Sequence, residues 1–362
     1  MFGGIQKIAV KTIVAANIVA IIMMLIVGYA GHVDPREHAV ISNLGLIMPL
    51  MIVINLAFLV FWAIARKIQI LIPIIGFVLC WGPLRLYCPV NLPSKPPKGA
   101  IKILSYNVFM FAPWDIPEGE PNPIVEYIIN SGADIVCLQE ASYDLKGREK
   151  IDSAIANVYQ YCDTVQKKGP QGDVLCLYSK FPILSRERVR YESANNLSEA
   201  YVLNIHGEKV LLVNNHFETV GLNNDDKDRF HEFIKGEMPS DSTGHESKFL
   251  AGKLGAGARK RAPEADAVAR LIARYRQKGM SVIVCGDFND TQLSYTHRRV
   301  AEGLTDCYTA TGNGPGWSYH KSAIYVRIDN ILCSPDWTPY NAHVDRSVTT
   351  SDHYPIVCWL KK

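Results

Sequence analysis

Charged residues are missing from three stretches of the first 90 residues, and this constrains the fold more than any other feature of the chain. No Asp, Glu, Lys or Arg occurs from Thr12 to Val33, from Ala39 to Ala65, or from Ile68 to Leu84. A bilayer core is crossed by a helix of about 20 apolar residues, with a range of about 17 to 25. All three stretches reach that range, the last at its lower limit, where Arg85 can snorkel to the interface. A cleaved signal peptide followed by core helices fits less well, because two further uncharged runs follow the first without amphipathic period. Pro73 and Gly76 would weaken a soluble helix but are tolerated in a span. Residues 1–90 are therefore expected to form a membrane domain of three transmembrane helices.

Basic residues in short loops set orientation. Lys7 and Lys11 precede the first span, and Arg66 and Lys67 lie between the second and third. The first loop, Gly31 to His38, has only Arg36, offset by Asp34 and Glu37. The amino terminus and second loop are expected in the cytoplasm. Three spans then place everything beyond about residue 90 outside it, in an integral protein of bacterial inner-membrane type.

Residues 91–99, with Pro93, Pro96 and Pro97, read as a linker. Its prolines are expected to keep it extended and to hold the next domain off the membrane. From Ile101 the pattern changes to short apolar runs separated by helical and turn segments, so residues 100–362 are read as one α/β domain. Strands are expected at 101–104, 134–138, 174–178, 201–205, 210–213, 282–285, 328–333 and 356–360, and helices at 124–130 and 262–277. The second helix is taken to start at Pro263 and stop at Gly279. Gly221 to Lys260 is polar, Gly-rich and long for a connection, so it is expected to border a site. The nine cysteines show no CxxC or Cys/His spacing, which argues against zinc and for small core residues. The net charge of +3 is too small for a nucleic-acid footprint.

Five short polar strings sit at the ends of the apolar runs: Ser105-Tyr106-Asn107, Leu138-Gln139-Glu140, Asn214-Asn215-His216, Gly286 to Asp290, and Ser351 to Pro355. Hydrolysis of a phosphate ester needs a metal against the phosphoryl charge, a positioned water, donors to the transition state and a stabilised leaving oxygen. Mg²⁺ prefers oxygen ligands and keeps several waters, so one or two carboxylates suffice, and Glu140 is the first candidate. Asp287 and Asn289, two apart at a strand end, can face one cleft, one to position water and one to donate to phosphate. An Asx turn at a strand exit is the plainer alternative. Asp352 and His353 are adjacent, so both can act only if the backbone there is irregular. Asp329 lies in an apolar run, where a bare carboxylate is costly. Its proposed partner is His353, with Arg327 or a backbone donor as the alternative. Arg259, Lys260 and Arg261 precede the expected helix start, where cations oppose the dipole and a bound phosphate would relieve the conflict. Arg259 and Arg261 are thus candidate substrate contacts, with a solvated charged turn as the alternative.

Together the strings resemble the endonuclease/exonuclease/phosphatase family from about Ile101 to Trp359. The resemblance implies a four-layer α/β sandwich with two central mixed sheets and the site at one sheet edge. It implies Asn107 and Glu140 on the metal side with Asp352, Asp287 as the water-positioning residue and Asn289 as its phosphate-binding neighbour. His353, supported by Asp329, and His216 would contact phosphate. Abasic endonucleases typically carry tyrosine in place of His216, which argues against that branch. The expected activity is divalent-metal-dependent hydrolysis of phosphate esters, of phosphodiesterase or nuclease type, with Mg²⁺ as cofactor and Mn²⁺ as substitute. A lipid- or inositol-phosphate phosphatase or sphingomyelinase-like enzyme is the alternative, and a non-catalytic membrane-anchored binding protein a third reading. The substrate is expected to be nucleic acid or a phospholipid headgroup, at the bilayer.

Overall fold

The structure, a computed structural model, describes residues 2–117, 119–143, 145–169, 172–220, 240–321 and 324–362. Five helices precede the first strand. They are α1 (Phe2–Gly28), α2 (Pro35–Ser42), α3 (Met48–Ile64), α4 (Leu71–Leu79) and α5 (Trp81–Tyr87). The stretches Lys7–Gly28 and Pro35–Ile64 are long and apolar enough to cross a membrane, with mean hydropathy 2.5 and 2.6. The third expected span is not one straight helix: α4 and α5 meet at a bend of 65°, and together they pass the same test. Pro83, two residues into α5, brings no amide to the ladder that would join the two. Within Pro35–Ile64 the chain is also interrupted, with His38 non-helical and a short 3₁₀ turn at Leu44–Ile47. Asp34 caps α2 by accepting from the Arg36 amide, with Pro35 as the first helical residue.

Pro93 to Gly99 is irregular, but it does not hold the following domain away from the helices. Leu293 of that domain packs in one core with Met24, Val27, Met48, Met51 and Cys80. Gly31 lies so close to this segment that a Cβ would meet the Leu293 carbonyl oxygen at 2.6 Å. Arg298 Nε donates to the Gly31 carbonyl at 2.9 Å, and Gln292 Nε2 to that of Tyr87 at 3.3 Å. Arg36 Nη1 reaches Asp266 at 3.0 Å, and Asn91 Nδ2 donates to the Gly312 carbonyl at 2.6 Å. Arg36 is 44% exposed, so solvent screens its ion pair and the apolar seat of Leu293 contributes more.

Among the described residues, twelve strands form two six-stranded sheets, in the orders β11-β12-β1-β2-β4-β3 and β5-β6-β7-β8-β10-β9. The first holds β1 (Ile101–Asn107), β2 (Ile135–Gln139), β3 (Tyr161–Gln166), β4 (Val174–Ser179), β11 (Thr338–Val344) and β12 (Ile356–Lys361). The second holds β5 (Ile183–Arg188), β6 (Leu197–Ile205), β7 (Glu208–His216), β8 (Ser281–Asp287), β9 (Thr305–Asp306) and β10 (Asp329–Cys333). One pair in each sheet is parallel, β1 with β2 and β7 with β8, and the other named pairs are antiparallel.

Alternating side chains of the central strands go to two different cores, which is why their sequences are apolar without interruption. Ile103, Ile135, Cys137, Leu212, Ile283 and Cys285 fill the space between the sheets. Leu104, Val136 and Leu138 face α6 (Pro123–Asn130) and α7 (Leu145–Ala156). Val282 and Val284 face α8 (Ser240–Arg276) through Ala265, Val268, Leu271 and Ile272. The layers are thus helix, sheet, sheet, helix, the expected α/β sandwich. Seven of the cysteines (Cys80, Cys137, Cys176, Cys285, Cys307, Cys333 and Cys358) are free and buried.

Helix α8 corrects the reading of 221–277. It does not start at Pro263 but runs from Ser240, with Pro263 inside it. Residues 221–239 of the expected polar connection lie outside the described residues, and 240–260 are helical. The basic run Arg259-Lys260-Arg261 is therefore mid-helix and has no free helix-start amides beside it to share with an anion.

Candidate active site

Strand register assembles the site. In β7, β8 and β10, His216 pairs with Asp287 and Asp287 with Asp329, so three titratable side chains lie across neighbouring strand ends. In the other sheet Asn107 pairs with Gln139, which places Glu140 just beyond the end of β2. Glu140 has φ 50°, a left-handed value uncommon for a side chain of this kind. Its backbone amide is held by Asp173 Oδ1 at 3.1 Å. The site thus sits at one end of both sheets, where these strand ends converge, and not along one sheet's edge.

Asp287 is its centre. Asn107 Nδ2 donates to Asp287 Oδ2 and to Glu140 Oε1, each at 3.1 Å, and so ties the two sheets together. His216 Nε2 lies 3.6 Å and His353 Nε2 3.7 Å from that same Asp287 oxygen. Each imidazole is anchored from behind by its own carboxylate. His353 Nδ1 is 2.8 Å from Asp329 Oδ2, and His216 Nδ1 is 2.8 Å from Asp173 Oδ2. Arg327, the alternative partner for Asp329, bonds Asp306 instead. The turn before β12 is irregular, the backbone condition expected for Asp352 and His353 to share one site. Ser351 Oγ donates to the Asn107 carbonyl at 2.7 Å and accepts from the His353 amide at 3.1 Å. His353 is turned inward, while Asp352 stays half-buried and adds its field to Glu140.

The electrostatics follow from burial and pairing. Burial alone would lower the His216 pKa, but the Asp173 carboxylate overrides it and holds the imidazole up at about 10. Asp329 overrides burial at His353 in the same way and holds it well above its ordinary value. Burial pushes Asp287 up, against the pull of His353 and His216. Burial also raises Glu140, opposed by His216. The site therefore presents two imidazolium donors around a buried carboxyl.

Sequence reasoning missed Asp173. It precedes the apolar run of β4, as Asp329 opens that of β10, and this matching position was the available signal. Also missed was the segment after Asn107, where Phe109, Met110, Phe111 and Ala112 have φ of 45°, 54°, 59° and 42°. Four consecutive left-handed residues are costly in L-amino acids. The Met110 amide is bonded to the Glu140 carbonyl at 2.8 Å. Phe109 stacks edge-on against Trp114 at 5.1 Å, and Lys321 Nζ lies 4.5 Å from the Phe109 ring centre.

The remaining candidates are placed elsewhere or otherwise engaged. Asn289 turns with φ 48°, its amide bonded to Asp287 Oδ1 at 2.7 Å and its Nδ2 to the Phe217 carbonyl at 2.9 Å. Arg261 is buried, bonded to Asp290 at 3.1 Å and to the Glu218 carbonyl at 3.2 Å. Arg259 is exposed on α8. Neither arginine is joined to the Asp287 cluster. His297 and Arg299 are paired to Asp306 and Asp266, and Arg298 to the Gly31 carbonyl.

The donor set suits a hard divalent cation. Glu140, Asp352 and Asp287 offer carboxylate oxygens, Asn107 adds an amide whose Nδ2 faces Glu140 and Asp287, and the ion pairs to Glu140 and Asp287 among the described residues come from histidines. Asp287, Asp329 and His353 bring potential ligand atoms within 4.8 Å of one another. In that trio, however, Asp329 and His353 already bond each other, an arrangement that fixes a proton more readily than it coordinates.

A sequence profile described as the Endonuclease/Exonuclease/phosphatase family matches residues 104–353. A second, a domain of unknown function, matches residues 10–87. No curated protein matches the chain. The human Nocturnin catalytic domain with bound sulfate is similar in structure, 15% identical, with TM-score 0.52 over 75% of this chain and 96% of its own. TDP2 from C. elegans is 15% identical, with TM-score 0.50 over 79% of this chain and 82% of its own. A Bacteroides thetaiotaomicron mannosyl-6-phosphatase is 16% identical, with TM-score 0.48 over 72% and 100%.

Proposed function

The chain belongs to the endonuclease/exonuclease/phosphatase family and is a phosphoester hydrolase, and we propose that it is a membrane-anchored enzyme using a divalent cation, Mg²⁺ or Mn²⁺. The observation that carries this reading is the placement of two carboxylate-backed histidines at 3.6 and 3.7 Å from one oxygen of Asp287.

Glu140 and Asp352, with Asn107, are the residues that would hold the cation. When bound, it supplies positive charge against the phosphoryl oxygens. Asp287 accepts a hydrogen bond from the attacking water and aligns it, taking its proton as the new P–O bond forms, while the ester P–O bond breaks and the leaving oxygen departs with the electron pair and takes a proton from solvent. Asn107 and the Asn289 amide fix the Asp287 carboxylate in one orientation. His216 and His353, kept protonated by Asp173 and Asp329, donate to the phosphoryl oxygens as charge builds on them. Asn289 is the phosphate-binding neighbour in this reading, its side chain swinging from the Phe217 carbonyl to the substrate.

The helices α1, α3 and the bent pair α4–α5 are proposed as three membrane crossings that anchor the domain. The positions of Lys7, Lys11, Arg66 and Lys67 support an outer placement of the domain. Contacts of the first loop with the domain support an even number of crossings between them.

The test is metal dependence. Full-length protein in detergent, assayed on bis(p-nitrophenyl) phosphate, is expected to lose activity in excess chelator and regain it with Mg²⁺ or Mn²⁺. Undiminished hydrolysis in chelator would overturn the reading.

A further inference from the structure

The segment that leaves the apolar helices is bonded to two stretches of the domain that continue from the site's strand ends. The Tyr87 carbonyl accepts from Gln292, five residues after Asp287, and the Leu86 carbonyl accepts from Arg327 at 3.4 Å, two residues before Asp329. At this same point α3 and α5 leave an open groove of about 550 Å³ lined by Ile52, Trp81, Leu84, Arg85, Tyr87 and Val90. That volume is in the range of about 300–1,000 Å³ common for ligand sites. Its lining is apolar except for one guanidinium, Arg85. Trp81 and Val90 are 64% and 79% exposed, so the groove opens outward.

A path of aromatic rings and cations leads from this groove to the catalytic histidine. Arg327, which bonds the Leu86 carbonyl, follows Val326, whose backbone pairs with that of Tyr319, two residues from Trp317. Trp317 packs on Tyr325 at 5.5 Å between ring centres. The Arg346 guanidinium sits 6.0 Å from the ring centres of both Trp317 and Tyr354. Two residues beyond Trp317, the Tyr319 ring meets the His353 ring at 5.1 Å. Amphipathic rings and long cations are the side chains that settle at headgroup depth in a bilayer.

Resting on the phosphoesterase reading above, we propose that the substrate is a bilayer lipid carrying a phosphate ester, with its acyl chain in the groove and its headgroup along Trp317 and Arg346. The apolar lining takes the tail. Arg85 and Arg346 match the negative headgroup between the bilayer and Asp287. A soluble phosphate ester has no use for a groove at the end of the spans. The groove also meets the domain through the same Tyr87 contacts that fix the domain to the helices.

The test uses the full chain in mixed micelles. The probes are dioleoyl and dihexanoyl phosphatidic acid, dioleoyl and dihexanoyl phosphatidylglycerol, and bis(p-nitrophenyl) phosphate. The expected result is a kcat/KM at least ten-fold higher for the dioleoyl form of one of the two headgroups than for its dihexanoyl form. Val90→Glu places a charge in the groove at an exposed position, and Trp81→Ala removes one wall. Each should erase that preference and leave bis(p-nitrophenyl) phosphate hydrolysis within two-fold. Cleavage of the soluble ester with no chain-length preference, or with a preference that survives both variants, overturns the lipid assignment and leaves the phosphoesterase reading intact. Hydrolysis of none of the probes in Mg²⁺ overturns both.

Discussion

Asp173 shows how one residue can set the state of another. It grips His216 Nδ1 with one oxygen and the Glu140 amide with the other, at 2.8 and 3.1 Å. Asp173→Asn keeps the shape but removes the charge that holds His216 protonated. Its kcat/KM on a soluble phosphodiester is expected to fall by about 10²-fold, within the range typical for loss of acid–base assistance. Asp173→Glu should recover part of it, and equal activity of Asp173→Asn and native protein would contradict the role. Asp173 was illegible in the sequence because an acid before a strand is common and its partner is 43 positions away. Asp329 was legible because it interrupts an apolar run, where an unpaired carboxylate is too costly to leave unexplained. The helix start assigned to the run Arg259 to Arg261 was misplaced. The helix continues through Pro263, and the Arg261 guanidinium is satisfied internally by Asp290.

Among the elements, α8 was the hardest to read. Its outer half is polar and carries Gly244, Gly252, Gly255 and Gly257, which lower helix propensity and read as a loop. Packing decides otherwise: Gly255 lies so near α2 that a Cβ would meet that of Ala39 at 3.0 Å. The central strands were read correctly because both of their faces are buried, which leaves continuous apolar runs. The edge strands β3, β5 and β11 were missed because each has one open face and mixed polarity. Helix α8 also carries a pH dependence. Burial raises the Glu264 carboxyl from 4.5 to about 7, although it accepts from the Glu218 amide at 2.8 Å. The folded chain holds a proton there that the unfolded chain has already released between these two values. This contribution to stability is complete below about pH 4.5 and is lost as pH rises through about 7. Glu264→Gln, which keeps a carbonyl acceptor without charge, should therefore stabilise the protein at pH 8 by about 1–3 kcal/mol and change little at pH 4.5. Thermal unfolding at the two pH values reads this directly, and an equal effect at both would refute it.

For the whole molecule, contacts between the first loop and the domain hold the two together. With the crossings proposed above, the Gly31–Leu293 and Arg36–Asp266 contacts would put residues 29–47 and the domain on one membrane face. The three-run pattern gave the apolar helices, but the sequence held no sign that the domain would sit on them. Its prolines suggested a spacer, whereas long-range packing determines the seat. In sealed spheroplasts, a membrane-impermeant maleimide should label Glu37→Cys and the exposed native Cys162 alike, and should spare Lys67→Cys until lysis. Labelling of Glu37→Cys and Cys162 from opposite sides would contradict the arrangement. The measurement that bears most directly on the account is phosphodiester hydrolysis by the full chain in lipid nanodiscs with Mg²⁺, native against Asp287→Ala. The account predicts a fall of about 10³-fold or more in kcat with an unchanged melting transition. An Asp287→Ala protein within about ten-fold of native kcat would contradict it.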